Sequence, residues 1–461
     1  MPVCSADLYK DEVLATLAER ANVAQFVSFD ASLQQRFARI RGFLPNYCFR
    51  SVSVAVEALL RASPERRVNI RSFKPDDPKG GEFIREQCDV EEILSALSRL
   101  ASKDFFTIVN ESIDVNDGGV SGVVMGGIAE FSPGDTPRCV ESGDITTLPV
   151  EIAIRVLKSV YGFEPAIRYD RSSRVEFSVH PAARGYAESN TVIWELQDAG
   201  SVSLEAQISW PNRFSRLVGD KVFGLLLADA FGQPVPYSEV ISRYVQPYRF
   251  GRKLPSGMKW LRTCPSVRTP GRFTTVRGWR DPFQIVLADE PDPSNPIISS
   301  IIIQDEVRSE FSGALLTSAN GRPIIEGVAG FGDKLMLGSE GPMDLPRPVR
   351  RSLEQLHQDI RNLVGPVRLE WAYDNDQVWV LQLQQQTGHS RGSVIYPGNP
   401  EVFYSFDAAA GLEKLRAVIS EIKHKDVGIK LVGNVGMTSH MADVLRDAQI
   451  PSRREPSPVT S

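Results

Sequence analysis

Cysteine and histidine are both scarce here, at five of each in 461 residues. The cysteines (Cys4, Cys48, Cys88, Cys139, Cys264) are odd in number and scattered, with no CxxC or Cys/His ligand spacing. That argues against a zinc site or a disulfide framework and reads as reduced thiols in a cytoplasmic protein. An excess of positive charge is missing as well. Lys and Arg number 52 against 57 Asp and Glu, a net charge of -5, so no basic field exists to hold a nucleic-acid backbone. No stretch approaches the ~20 apolar residues needed to cross a bilayer. The opening MPVCSADLYKDEV is acidic where a secretory signal would be basic and then apolar. The expectation is a soluble, unexported, cytoplasmic protein without a nucleic-acid or membrane partner.

What is present is enough apolar sequence for several cores, and usual domain sizes suggest roughly three units. Residues 6–65 read mainly as helix, because apolar positions recur at three and four in DEVLATLAERANVAQF and VSVAVEALLRAS. VNIRSF and FTIVNESIDV read as strands around the helix DVEEILSALSRLA, and GVSGVVMGGIAEF as a strand pair turning at glycines. The helix EIAIRVLKSVYGF and the strands RVEFSVHP and TVIWELQ follow. After residue 215 this order recurs. IIIQDEVRSEFSGALLT parallels TIVNESIDVNDGGVSGVVM, and RRSLEQLHQDIRNLVG, RLEWAYD and QVWVLQLQ parallel the helix and strands just named. Glu176 and Glu370 fall at matching places, so the pattern reads as an internal duplication.

Five blocks of the second copy stand in a telling order: GDKVFGLLLADAFGQPVP (219–236), WLRT (260–263), TPGRFTTV (269–276), IIIQDEVRSEFSGALLT (301–317) and EWAYDNDQVWVLQLQ (370–384). Together they resemble the nucleotide-binding domain of the phosphoenolpyruvate synthase and pyruvate phosphate dikinase family, with its GGK-helix-PVP element, VRS strand, phosphate-covering loop, SGV hairpin and terminal IEW...LQxR. Further along, TSHMADVLRDAQIP resembles the phosphohistidine domain of the same family, and His440 falls on the histidine that becomes phosphorylated. Two departures stand out. Gln384 occupies the position of the family's arginine, and NVG precedes TSH where the family has two glycines.

The chemistry of these residue types agrees with the resemblance. A polyphosphate carries ~three to four negative charges and needs cations and backbone N–H donors, which a glycine-containing loop brings close. The resemblance implies that Lys221 and Arg262 hold phosphates, that the loop with Thr269, Gly271, Thr274 and Thr275 covers them, and that Gln304 sits near the nucleotide. Glu370 and Gln382, on strands joined by the turn DND, can meet across a hairpin, and a carboxylate there suits magnesium, which prefers oxygen ligands shared with phosphates. TSH before an amphipathic helix puts His440 at a helix N-terminus, where free N–H groups favour a phosphate anion. Arg277 or Arg280 could supply the cation missing at Gln384. His180, His357, His389 and His424 have neither metal spacing nor a nucleophile motif beside them.

The fold class expected is α+β, with tandem ATP-grasp-like domains built on mixed or antiparallel sheets and a small C-terminal α/β phosphohistidine-like domain. The expected division is a helical segment with a degenerate ATP-grasp-like half over 1–205, a nucleotide-binding domain over 206–388, a shortened phosphohistidine-like domain over 389–453 and a disordered tail over 454–461. The function implied is an ATP- and Mg2+-dependent phosphotransferase, with Arg262 and His440 as catalytic residues and Glu370 and Gln382 as metal ligands. It would pass a phosphoryl group to an unknown acceptor, a small molecule or a protein. Two alternatives share the nucleotide site: a non-catalytic nucleotide sensor or scaffold, and an ATP-grasp carboxylate ligase.

Overall fold

The computed structural model describes residues 8–74, 81–134, 144–162, 172–183, 189–198, 200, 202–266, 273–290, 292–386 and 390–455. Among these described residues it is a mixed α/β chain with five sheets. Two compact units divide it, unit 1 over 1–207 with 244–246 and unit 2 over 208–243 with 247–461. Among the described residues no helix is long and apolar enough to cross a membrane.

Unit 1 contains a five-stranded antiparallel sheet in the order Gln35–Arg39, Phe26–Phe29, Phe106–Glu111, Val68–Phe73, Phe83–Gln87. Its second sheet runs Asn22–Val23, Thr191–Asp198, Ser173–His180, Val120–Met125, Ile128–Pro133, Thr146–Pro149. The helix Val90–Ala101 illustrates how the sequence dictates these elements. Asp89 caps it by accepting from the Glu92 N–H, and Ile93, Leu97 and Leu100, spaced at four and three, are buried in the core with Val27, Leu59 and Val109.

The 6–65 stretch differs from its expectation. Helices Leu8–Ala18 and Val52–Ala62 flank three strands, Asn22–Val23, Phe26–Phe29 and Gln35–Arg39. All four residues of Phe26–Phe29 are buried, and a short apolar run covered on both faces has no period that separates strand from helix. Cys48 is disulfide-bonded, which corrects the reading of all five cysteines as reduced thiols, while Cys88 and Cys264 are free. Sequence spacing does not report which thiols a fold brings together.

Unit 2 repeats the plan. Its five-stranded sheet runs Tyr248–Phe250, Ser238–Ser242, Ile298–Asp305, Lys259–Pro265, Thr275–Arg277, with every pair antiparallel. A four-stranded antiparallel sheet follows in the order Pro323–Ala329, Phe311–Thr317, Val367–Asp374, Gln377–Gln385. The central strand Ile298–Asp305 is buried at all eight positions, as a run such as ISSIIIQD requires. Helix Arg347–Val364 turns Val349, Leu353, Leu356, Ile360 and Val364 inward at helical spacing.

A third sheet of unit 2 orders Val394–Tyr396, Ser452–Glu455, Val427–Val432, Val402–Asp407, with parallel pairing at its last two junctions. Helices Leu412–Ile422 and His440–Asp447 pack on it around Ile395, Leu415, Ile429 and Leu445. Arg454 and Glu455, expected in the tail, are strand residues because the chain there pairs in parallel with Leu431 and Val432. Residues 456–461 lie outside the described part.

Candidate functional site

One close approach positions the site. Helix Asp220–Ala230 lies so tightly on strand Gln377–Gln385 that a Cβ on Gly224 would come within 1.9 Å of the Leu383 carbonyl oxygen. Glycine is therefore required there. The same contact holds Lys221, in the first turn of the helix, over a cavity of about 370 Å³. Around it stand Arg262, Arg368, Glu370, Gln382 and His440.

Glu370 sits opposite Gln382 across the hairpin. Arg368 donates to Glu370 at 3.3 Å, and Arg262 Nη1 stands 4.0 Å from the same carboxylate. Burial pushes the Glu370 carboxyl up, but Arg368, Arg262, His440 and Lys221 outweigh it and hold the group below its ordinary value. Burial likewise pushes Arg368 down, and Asp443 with Glu370 more than reverses that, so it stays charged. Arg262 Nε, Arg368 Nε, Gln384 Oε1 and His440 Nδ1 are buried with no hydrogen-bond partner among the described residues. The two arginine Nε donors, orphaned here beside Lys221, suit an anionic ligand, because buried polar groups normally find partners.

His440 opens the helix His440–Asp447, with Ser439 as its N-cap accepting from the Ala442 N–H at 3.4 Å. The TSH turn is fixed from below by Glu326. This buried carboxylate accepts from the Met437 N–H at 2.9 Å and from the Thr438 N–H and hydroxyl at 2.8 Å each. Arg368 ties the same turn to the sheet, donating to the Thr438 carbonyl at 3.0 Å and pairing with Asp443 at 2.9 Å. His440 Nδ1 lies 3.7 Å from Asp443 Oδ2 and is the buried ring nitrogen, so the exposed quarter of the ring lies elsewhere on it.

The structure thus gathers Lys221, Arg262, Glu370, Gln382 and His440 in one cavity, joined by the exposed Thr275. Thr274 does not line it: its N–H and hydroxyl both donate to Asp289, which also accepts from Thr263. Gln304 lines a smaller neighbouring cavity and donates to Ser238 Oγ at 3.4 Å. Thr269 and Gly271 lie outside the described residues. Arg277 is committed to Glu306, at 2.6 and 2.9 Å, and neither it nor Arg280 lines the cavity. Arg368 takes the place expected of them, because in the strand register it faces Gln384. Sequence reasoning passed over Arg368. Its signal was the Arg-x-Glu triplet shared by RVEF and RLEW.

No family model matches this chain, and no curated protein matches it. Solved structures do align. One is a D-alanine-D-alanine ligase from Coxiella burnetii, at 13% identity over 38% of this chain and 49% of that one, with a TM-score of 0.25. Another is a RimK domain protein of the ATP-grasp kind from Sphaerobacter thermophilus, at 14% identity over 37% and 58%, with a TM-score of 0.23. A D-alanine-D-alanine ligase from Bacillus anthracis aligns at 8% identity over 51% and 68%, with a TM-score of 0.25. The chain spans about half the length of the first of these. These neighbours are D-alanine-D-alanine ligases and an ATP-grasp RimK domain protein, not phosphoenolpyruvate synthases or pyruvate phosphate dikinases, and with no matching family model this overturns the dikinase-family assignment drawn from the five blocks. Short motifs built from glycines, one lysine and strand-ending glutamines recur wherever a loop and sheet cradle phosphates, so their order alone does not define a family.

Proposed function

We propose that unit 2 binds ATP in an ATP-grasp-like site and transfers its terminal phosphoryl group to a carboxylate, as an ATP-dependent carboxylate ligase does. The observation that carries this reading is the convergence of Lys221, Arg262 and Arg368, with unpaired donor nitrogens on both arginines, around Glu370 and Gln382. Phosphoryl transfer depends on cations that draw off spread negative charge in a site with little water. In this reading Lys221 and Arg262 hold phosphates. Arg368, kept charged by Asp443 and Glu370, supplies a fixed positive field.

Among the described residues no group of three or more His, Cys, Asp or Glu is placed to hold a metal. A magnesium ion would therefore be shared between the ionised Glu370, the Gln382 carbonyl oxygen and phosphate oxygens, as this hard cation commonly is. When bound it offsets phosphate charge. In the reaction a carboxylate oxygen bonds to the γ-phosphorus, the bond to the β-γ bridging oxygen breaks, and ADP leaves. The acyl phosphate then yields to an amine with release of phosphate.

His440 motivates a second reading, because its ring lines the same cavity at a helix N-terminus. There an imidazole nitrogen, and not a carboxylate, would bond to the γ-phosphorus as the bond to the β-γ bridging oxygen breaks and ADP leaves, and Thr438 and Ser439 would flank it. The acceptor beyond it would be a small molecule or another protein.

The test is product analysis of the full chain with Mg2+ and ATP labelled separately at the β and γ positions, in the presence of carboxylic acids and hydroxylamine. Carboxylate-dependent ADP release with acyl hydroxamate, lost in Lys221→Ala, supports the ligase reading. Acid-labile label on the protein that disappears in His440→Ala and persists in His424→Ala selects the second. Binding of ATP by calorimetry with no product over hours leaves a nucleotide sensor or scaffold, and no binding removes all three.

A further inference from the structure

Unit 1 reproduces the polar plan of the unit 2 site. Arg174 faces Gln197 and Glu176 faces Glu195, as Arg368 faces Gln384 and Glu370 faces Gln382. On the other sheet Arg71 pairs with Ile108 and Asn69 with Asn110, as Arg262 pairs with Ile302 and Trp260 with Gln304. The lysine that the sequence does not reveal is there too. Lys10, on helix Leu8–Ala18, reaches Glu195 at 2.6 Å, on the strand that corresponds to the one beneath Lys221.

Two exchanges alter what this arrangement can hold. The first is Glu195 at the place of Gln382, and with it the cations turn inward. Lys10 pairs with Glu195, Arg71 pairs with Glu176, and Arg174 Nε lies 3.3 Å from Glu176, every group being buried. In unit 2 the corresponding Arg262 stands off from Glu370 at 4.0 Å. A triphosphate entering unit 1 would have to part buried ion pairs and leave carboxylates uncompensated, which is strongly unfavourable.

The second exchange is Asn69 at the place of Trp260. Trp260 lines the 370 Å³ cavity of unit 2 and the neighbouring one of about 60 Å³, whereas beside Asn69 and Asn110 unit 1 has one cavity of about 270 Å³ among the described residues. Phe26, Ile108 and Ile193 give this cavity apolar walls, and Trp194 adds an indole whose buried Nε1 has no partner among the described residues. Apolar and aromatic walls with a few fixed amides are the make-up of a small-molecule site.

We propose that the unit 1 cavity is a second binding site, specific for an uncharged nucleoside and not for a polyphosphate. The aromatic and aliphatic walls suit a flat base. Asn69 Oδ1 accepts from the Glu86 N–H and the Ser112 hydroxyl, and Asn110 Nδ2 donates to the Glu111 carbonyl, which fixes both amides and turns the Asn69 amino group and Asn110 Oδ1 to the hydrogen-bonding edge of a ligand. A phosphate would have to compete with the buried Lys10–Glu195 and Arg71–Glu176 pairs, which an uncharged ligand leaves intact. The site uses no residue of unit 2 and does not depend on the reading of that unit.

The experiment is calorimetry on the full chain with adenosine and guanosine as probes, beside Mg2+-ATP. Saturable binding of one nucleoside is expected, weakened at least about tenfold by Asn69→Trp, which refills the cavity, and by the milder Asn110→Leu, but unchanged in Lys221→Ala. Thermal melting of each variant checks that it folds, and Trp194→Phe serves should Asn69→Trp not. Absence of saturable binding by either nucleoside overturns the proposal. So does binding that is lost in Lys221→Ala, or displacement of the nucleoside by ATP at equal affinity in that variant.

Discussion

Unit 1 and unit 2 lay their shared strands in the same order, with Asn22–Val23 and Thr146–Pro149 added at the edges of the second sheet of unit 1, and place arginine and glutamate at the same register, yet they arrange charge differently. In unit 1 the arginines and lysine close on two carboxylates. In unit 2 Arg368 is shared between Glu370 and Asp443, while Arg262 stands off from Glu370 at 4.0 Å. A single carboxamide-to-carboxylate difference, Gln382 against Glu195, accompanies that change. The lesson is that a shared scaffold fixes where polar groups stand, while the balance of charge decides whether they hold each other or a ligand.

The sharpest way to break this contrast is to remove the carboxylate from each unit in turn. Glu176→Leu strands Arg71 and Arg174 in the interior and is expected to cost about 3–5 kcal/mol in urea unfolding. Glu370→Leu, whose partners reach a cavity, should cost roughly half as much or less. Equal losses would show that the two sites are equally structural.

Lys221→Ala should lower ADP formation about 10²–10³-fold, the usual effect of deleting one stabilising donor, with the urea midpoint little changed. Lys10→Ala should do the reverse, leaving turnover intact and lowering stability because Glu195 is left buried without its partner. A turnover defect in Lys10→Ala would place catalysis in the wrong unit.

A pH series separates the units further. His357 on helix Arg347–Val364 is held to about 4, first by burial and then by Arg361, and its Nε2 lies 2.8 Å from Thr317 Oγ1. Because this value lies below the ordinary 6.5, its stabilising contribution is complete above about pH 6.5 and is lost as pH falls toward 4. The corresponding helix of unit 1, Val150–Tyr161, has no histidine. Unfolding followed between pH 7.5 and 4 should show a loss of order 3 kcal/mol that His357→Gln flattens.

Smaller effects sharpen the same comparison. Gln382→Glu gives unit 2 the residue of unit 1 and should weaken Mg2+-ATP binding about tenfold by calorimetry. Ser439→Ala removes the cap of the His440 helix and should cost about 1 kcal/mol. If Gln382→Glu strengthened ATP binding, the charge-balance account of the two units would fail.

Much of the scaffold was legible in the chain. The helix over 90–101 and the strands around 68–73, 106–111, 367–374 and 377–385 follow from period and composition. Other expectations failed for local reasons. Phe26–Phe29 is buried on both faces and carries no period. The Thr274 side chain, expected over phosphates, is taken by Asp289, fifteen residues away in sequence, and Arg277 is taken by Glu306.

What the sequence determined by itself is the repeated order of elements and the repeated Arg-x-Glu triplet, since both are written in near neighbours. What only the tertiary structure decided is which distant groups meet. Lys10 finds Glu195 across 185 positions, and Arg368 finds the Thr438 carbonyl across 70. His440 joins Lys221 and Arg262 around one cavity. Local periodicity reports which face of an element is apolar, but whether a buried cation pairs with a carboxylate or waits for an anion depends on how sheets and helices pack, and that is settled only when the chain is folded.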